Sequence, residues 1–229
     1  MSTEKTFTVA IYANEYKQIC AWVLKNQTLE TGGDLFGLWS DDDSAVIQLV
    51  LGPGRNCARA AHSFYQDVAY LEKVGSNLTS KEGLCHIGEW HSHHTIGLKQ
   101  PSGGDQRTVW TNMPQYNLRR FLLFIANIEP KASYGEDAVS VGCFLFEETG
   151  TNRKMLQGNF NLLPKESPFR SKCLLVLPCL QEGAECMNED EEVASILEMR
   201  QTSSPQNTER PLMLFQPLYR GKTSCCSLM

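Results

Sequence analysis

The sequence has no run approaching the ~18 apolar residues that a membrane-spanning helix requires. Its opening stretch, Met1 to Thr8, is polar and charged, which excludes the apolar core of a secretory signal. No internal repeat is present, so a solenoid or array is set aside. Positive charge is not in excess: 21 Lys and Arg stand against 26 Asp and Glu, and a net charge of −5 offers no general attraction for nucleic acid or anionic membrane. CxxC pairs are also missing. The nine cysteines are odd in number and mostly sit in apolar runs, so free thiols in a reducing, cytoplasmic setting are expected.

What is present is enough apolar material for a core. Hydrophobic residues make up 41% of 229, which fits one globular domain with extensions or at most two small domains. Tyr16, Ile19, Cys20, Val23 and Leu24 form one helical stripe, with Asn14 as the expected N-cap. Asp34–Trp39 and Ala45–Leu51 are short apolar runs around Asp41-Asp42-Asp43 and predict antiparallel strands, ended by Gly52-Pro53-Gly54. Phe64, Val68, Leu71, Val74 and Leu78 predict a helix over 63–78. A strand is expected at Leu84–His93 and a helix at 103–113, opened at Ser102 and closed before Pro114. Arg120–Ile128, Ala138–Glu147 and Met155–Leu163 complete the strands. Interleaved helices and closely connected strands predict an α/β (α+β) fold with a mixed, mostly antiparallel sheet flanked by helices. One domain over 5–165 is expected, followed by a flexible tail over 166–229 with a short helix.

Chemistry concentrates in His91-Ser92-His93-His94, followed by Ser102-Gly103-Gly104-Asp105. On a strand His91 and His93 share a face about 7 Å apart, and can bind one cation from adjacent directions. Asp105, at the start of the next helix, supplies a third donor. Two histidines, one carboxylate and a vacant position make a catalytic rather than a structural zinc site, where a bound water's pKa falls to ~7. Each part also has a plainer reading. Ser102 and Asp105 have capping-box spacing, and the histidines suit partly buried polar positions on a strand. Glu89 shares strand parity with both histidines, and by spacing alone suits a base or a supporting carboxylate behind them. His94 is expected to point elsewhere, as a loop or surface residue.

His91-x-His93 with Ser102-x-x-Asp105 resembles the signature of JAMM/MPN+ (JAB-type) zinc metalloproteases. Glu30-Thr31-Gly32-Gly33 resembles that family's glutamate-bearing strand entry. Gly52-Pro53-Gly54, Ser63-Phe64-x-x-Asp67 and Gly88-Glu89-Trp90 look like its compact branch. The resemblance spans about residues 5–165 and implies an MPN/JAB-like (cytidine-deaminase-like) fold. It implies one Zn2+ per chain on His91, His93 and Asp105, Glu30 as catalytic base, and Ser102 as an oxyanion donor. Two departures stand out. Eight residues rather than the usual seven separate His93 from Ser102, and His94 stands where the compact branch commonly has proline. Residues 106–120 also lack the histidine and cysteine of the second zinc site found in members that cleave polyubiquitin.

The resulting expectation is a zinc isopeptidase or peptidase acting on a protein substrate, cutting after the C-terminus of ubiquitin or a ubiquitin-like protein or at a related isopeptide bond; no substrate-binding signature favours ubiquitin chains. The alternative is a catalytically silent MPN-like interaction module. Cys226-Ser227-Leu228-Met229 matches a farnesylation box, with Cys225 as a second acylation point. One lipid holds a protein only marginally, so a cytoplasmic protein with weak membrane association is expected.

Overall fold

The computed structural model describes residues 6–129 and 138–171. In chain order their elements are β1 (Phe7–Tyr12), α1 (Ala13–Lys25), β2 (Gly32–Trp39), β3 (Ser44–Val50), β4 (Ala58–Ala60), β5 (Ser63–Tyr65), α2 (Val68–Glu82), β6 (Cys85–Ser92), α3 (Gly103–Gln115), β7 (Arg120–Ile128), β8 (Val139–Thr149) and β9 (Asn152–Leu163). Seven strands close into a barrel in the order β1-β3-β2-β6-β7-β8-β9, while β4 and β5 pair as a separate hairpin. The pairs β1–β3, β1–β9 and β6–β7 are parallel and the other four barrel pairs are antiparallel. This is the expected mixed, strand-rich α+β fold with helices packed on it.

The barrel's closure was not legible in the sequence. β1 follows a charged stretch and its alternation is short, yet it supplies the strand that joins β3 to β9. Closure removes the open sheet edges that would otherwise need cover.

Strand side chains alternate, and here both faces are buried, which accounts for runs as apolar as Arg120–Ile128. Leu122, Phe124 and Ala126 of β7 join Ile19, Cys20 and Val23 of α1 in one core cluster. The alternating Phe121, Leu123 and Ile125 pack with Val109 and Met113 of α3. Across β2, Leu35 belongs to the α1 side and Phe36 to a third cluster with Leu71, Val74 and Leu78 of α2. Helices α2 and α3 therefore cover neighbouring parts of the outer face, and β6 runs between the strands they cover. The site lies along that seam.

Several local expectations are corrected. The helix expected over 63–78 begins at Val68, where the Asp67 side chain accepts from the Tyr70 backbone N–H. Ser63–Tyr65 instead pairs with Ala58–Ala60, so the spacing of Phe64 to Val68 crosses a strand and a cap rather than one helix. Helix α1 starts before Asn14: its N-cap is Tyr12, with no side-chain hydrogen bond, and the Asn14 amide donates to Glu166 Oε1 at 2.7 Å. Pro114 is accommodated in the last turn of α3 rather than lying beyond it; so late in a helix it forfeits a single backbone hydrogen bond. The reading of all cysteines as free thiols also needs revision. Cys20, Cys85 and Cys143 are free, but Cys57 is disulfide-bonded. The box at Cys226 and the neighbouring Cys225 lie outside them too.

After β9 the chain is fastened back onto the barrel. The buried Glu15 carboxylate accepts from the Val50 backbone N–H at 2.7 Å and from Arg170 Nε at 2.9 Å. Arg170 Nη2 bonds the same carboxylate and donates to the Val50 carbonyl at 2.9 Å. The guanidinium and the Val50 N–H thus serve both oxygens of a carboxylate that burial would otherwise leave costly.

Candidate metal centre

The centre is assembled where β2, β6 and the start of α3 meet. Gly32 stands opposite His91 and Asp34 opposite Glu89 on the antiparallel β2–β6 pair. The segment leading into β2 is locked to β6: Ser92 N–H donates to the Thr31 carbonyl at 2.8 Å, and the Thr31 N–H donates to Ser92 Oγ at 3.0 Å. The Glu30 N–H donates to the Ala60 carbonyl at 2.9 Å, so the β4–β5 hairpin also fixes this entry.

Such close apposition needs glycine at Gly33. A Cβ there would lie 2.0 Å from the Leu51 carbonyl oxygen and 2.8 Å from the Trp90 indole nitrogen, which itself donates to that carbonyl at 2.9 Å. Backbone cannot yield that far. Gly33→Ala is expected to destabilise by about 1–3 kcal/mol through overpacking, seen in a thermal melt as a loss of about 3–10 °C.

His91 lies near the end of β6, and His93 just past it. The His93 N–H still follows the β7 direction, donating to the Ala126 carbonyl at 2.8 Å. The two imidazoles converge, with Nε2 atoms 3.1 Å apart. Asp105 closes the triangle, Oδ1 at 3.4 Å from His91 Nε2 and Oδ2 at 3.3 Å from His93 Nε2. All three side chains are buried.

Local chemistry sets the aim of two of the three donor groups, His93 and Asp105. His93 Nδ1 meets the Leu98 carbonyl at 2.7 Å; a carbonyl only accepts, so Nδ1 carries a proton, and in the neutral ring the Nε2 lone pair faces the centre. Asp105 is held by a complete capping box. Its Oδ2 accepts from the Ser102 N–H at 2.6 Å, and its own N–H donates to Ser102 Oγ at 3.1 Å. The capping reading and the ligand reading of Ser102-x-x-Asp105 are therefore compatible, the cap orienting the ligand. Ser102 Oγ uses a lone pair in the cap, which leaves its O–H proton to donate.

The donor set fits a metal ion. Bonds of about 2.0–2.1 Å in tetrahedral geometry put donors roughly 3.3 Å apart, close to the three distances here. Asp105 Oδ1 and His91 Nδ1 are buried without a hydrogen-bond partner. Burial acts to raise the Asp105 pKa, yet the attraction of His91 and the donors on His93 and Ser102 outweigh it, holding the carboxyl well below its usual range. For His93, burial works downward and Asp105 with the Leu98 carbonyl works upward, and the net shift is up.

Glu30 sits beside these groups without joining them. It is 5% exposed and its Oε2 has no partner. Burial lifts its pKa from 4.5 to about 7, with His93 opposing and Asp105 assisting the rise. Such a carboxyl is poised to take and return a proton near neutrality.

His94 is not part of the triangle. It adopts φ 34°, is buried rather than at the surface, and its Nε2 lies 2.7 Å from the Ala61 carbonyl in the turn between β4 and β5. The hairpin thus contacts both Glu30 and His94, a role hidden when its residues are read as helix.

The chain matches a model of the prokaryotic homologs of the JAB domain over residues 13–138, more than half its length. It is 29% identical over 136 residues to a CD-NTase/cGAS isopeptidase from Enterobacter hormaechei subsp. hoffmannii, covering 58% of this chain and 74% of the relative. It is 33% identical over 85 residues to the "probable metalloprotease y4qB" of Sinorhizobium fredii, covering 36% of this chain and 52% of that one. In fold it is similar to the solution structure of a protein from Desulfitobacterium hafniense, with a TM-score of 0.52 at 18% identity, over 69% of this chain and 94% of the other.

Proposed function

The chain belongs to the JAB-domain family in its prokaryotic form, and from that membership we propose that it is a zinc-dependent isopeptidase that cuts the amide after the C-terminus of a ubiquitin-like protein. The carrying observation is the buried triangle of His91 Nε2, His93 Nε2 and Asp105 at 3.1–3.4 Å, with an unpartnered glutamate beside it. A relative named as an isopeptidase and another named as a metalloprotease support the reaction class.

His91, His93 and Asp105 would hold the zinc. When bound, it supplies Lewis acidity to a water and to a carbonyl oxygen. Glu30 Oε2 accepts the proton of the attacking water and returns it to the leaving amine nitrogen. The apolar surroundings that raise its pKa keep both protonation states accessible near pH 7. The Ser102 hydroxyl donates to the substrate oxygen as it gains charge, held at the helix start by its bond to Asp105. Glu89, on the same strand face as His91, does not orient it: His91 Nδ1 and Glu89 Oε2 are each without a hydrogen-bond partner.

The substrate assignment is tested by incubating zinc-loaded protein with ubiquitin-like conjugates and reading products by intact mass. Cleavage at the amide following the modifier's C-terminus is expected. Cuts only at other peptide bonds would remove the substrate class and leave the hydrolase. His94→Ala should leave zinc content unchanged by elemental analysis, because that ring engages Ala61 instead.

A further inference from the structure

Among the described residues a second group has metal-ligating character: Asp34, His86 and Glu89, each buried, with one donor atom apiece all lying within 4.8 Å. Its formation depends on an irregularity. His86 and Glu89 are three apart on β6, which on a regular strand would place them on opposite faces. The pairing with β2 slips between Leu35 and Phe36, so that Leu35 faces Gly88 but Phe36 faces His86, leaving Ile87 as the extra residue. The bulge turns Ile87 into the α1 core and His86 to the outer face with Glu89 and Asp34. There the His86 ring lies against Phe36 at 5.3 Å and Phe121 at 6.0 Å, in the seam between the α2 and α3 layers.

The polar atoms of this pocket are not all paired. Asp34 Oδ1 lies 3.0 Å from His86 Nε2, and Asp34 Oδ2 accepts from Gln66 Nε2 at 2.7 Å. Glu89 is 5% exposed, and its Oε2 has no partner. Two carboxyl groups and one imidazole are thus buried together, with one carboxyl oxygen lacking the hydrogen bond that a buried polar atom ordinarily has. A divalent cation held by the three groups would give the orphaned oxygen a partner.

We propose that Asp34, His86 and Glu89 form a second, buried binding site for a first-row divalent cation such as Zn2+ or Mn2+. One imidazole and two carboxylates suit such ions, whose bonds near 2.1 Å a small carboxylate rotation would satisfy. Glu89 and His91 are two residues apart on one strand, so the two sites stand roughly 7 Å apart. Co-catalytic pairs sit at about 3.5–4 Å. This ion is therefore a structural and electrostatic support beneath the first centre, and does not share its substrate. The inference stands without the proposed reaction, because it uses none of the first centre's ligands.

The test strips the full-length protein with chelator, reloads it with Zn2+ or, separately, Mn2+, removes excess, and counts metal per chain. Two ions are expected in the unaltered protein, one in His91→Ala/Asp105→Ala and one in Glu89→Gln. None is expected when all three substitutions are combined, with folding checked by circular dichroism. His86→Gln serves as a second variant should Glu89→Gln not fold. One ion in the unaltered protein and none in His91→Ala/Asp105→Ala, for both metals, would overturn the site. A second ion retained by folded Glu89→Gln and His86→Gln would overturn it as well.

Discussion

Replacing His91 or Asp105 by alanine is expected to remove one equivalent of zinc and to lower turnover by at least about three orders of magnitude. Each supplies one corner of a three-donor triangle, and two donors do not hold a zinc ion against water. The metal's Lewis acidity contributes several kcal/mol of transition-state stabilisation, and each 1.36 kcal/mol is tenfold in rate. Asp105→Ala has a further consequence. It breaks half of the capping box, since Asp105 Oδ2 accepts from the Ser102 N–H. Asp105→Asn separates the two effects: the amide keeps a carbonyl oxygen for the cap but loses the ligand charge. Elemental analysis and turnover of the three variants check this, with a thermal melt reporting the cap.

Glu30→Gln is expected to keep the fold and the zinc while turnover falls by about two to four orders of magnitude, the usual share of a general acid–base group. Glutamine has nearly the shape of glutamate but cannot take the water's proton. Normal turnover by Glu30→Gln would remove the base assignment. An inactive Glu89→Gln with intact zinc at the first centre would transfer the role to Glu89.

The same substitution has a stability signature in metal-free protein. The folded Glu30 carboxyl has its pKa raised from 4.5 to about 7. Its protonated form is thus favoured by the fold. Its contribution is fully present below about pH 4.5 and is lost as pH rises through about 7. Melting points of metal-free wild type should fall relative to Glu30→Gln between pH 5 and pH 8.

Much of this centre could be read from the sequence because each ligand carries a local signal. His91-x-His93 sits at the end of an apolar strand, and Ser102-x-x-Asp105 opens a helix. Their convergence is set by β6 ending beside α3. The seven-stranded closure could not be read, because β1 joins β3 and β9 by pairings distant in sequence, and nothing in Phe7–Tyr12 names its partners. The hairpin at Ala58–Tyr65 was hidden for a different reason. Phe64 happens to stand four residues before Val68, so a helical period runs through a strand and a cap. His86 is not legible as a companion of Glu89 and Asp34, because strand parity sets it on the face opposite Glu89. Only the slip at Ile87 turns His86 toward Glu89, and a bulge of one residue leaves no mark in spacing.

On the reading proposed above, the His91, His93 and Asp105 triangle is the working centre of a metal-dependent amide hydrolase. The most direct test of this reading measures turnover of a fluorogenic C-terminal amide of a ubiquitin-like protein by chelator-stripped protein, before and after Zn2+ is restored. The expected result is no turnover when stripped, full recovery with zinc, and no recovery in His91→Ala. Turnover that persists at the same rate in folded, zinc-free protein, or that zinc restores equally well to His91→Ala, would contradict it.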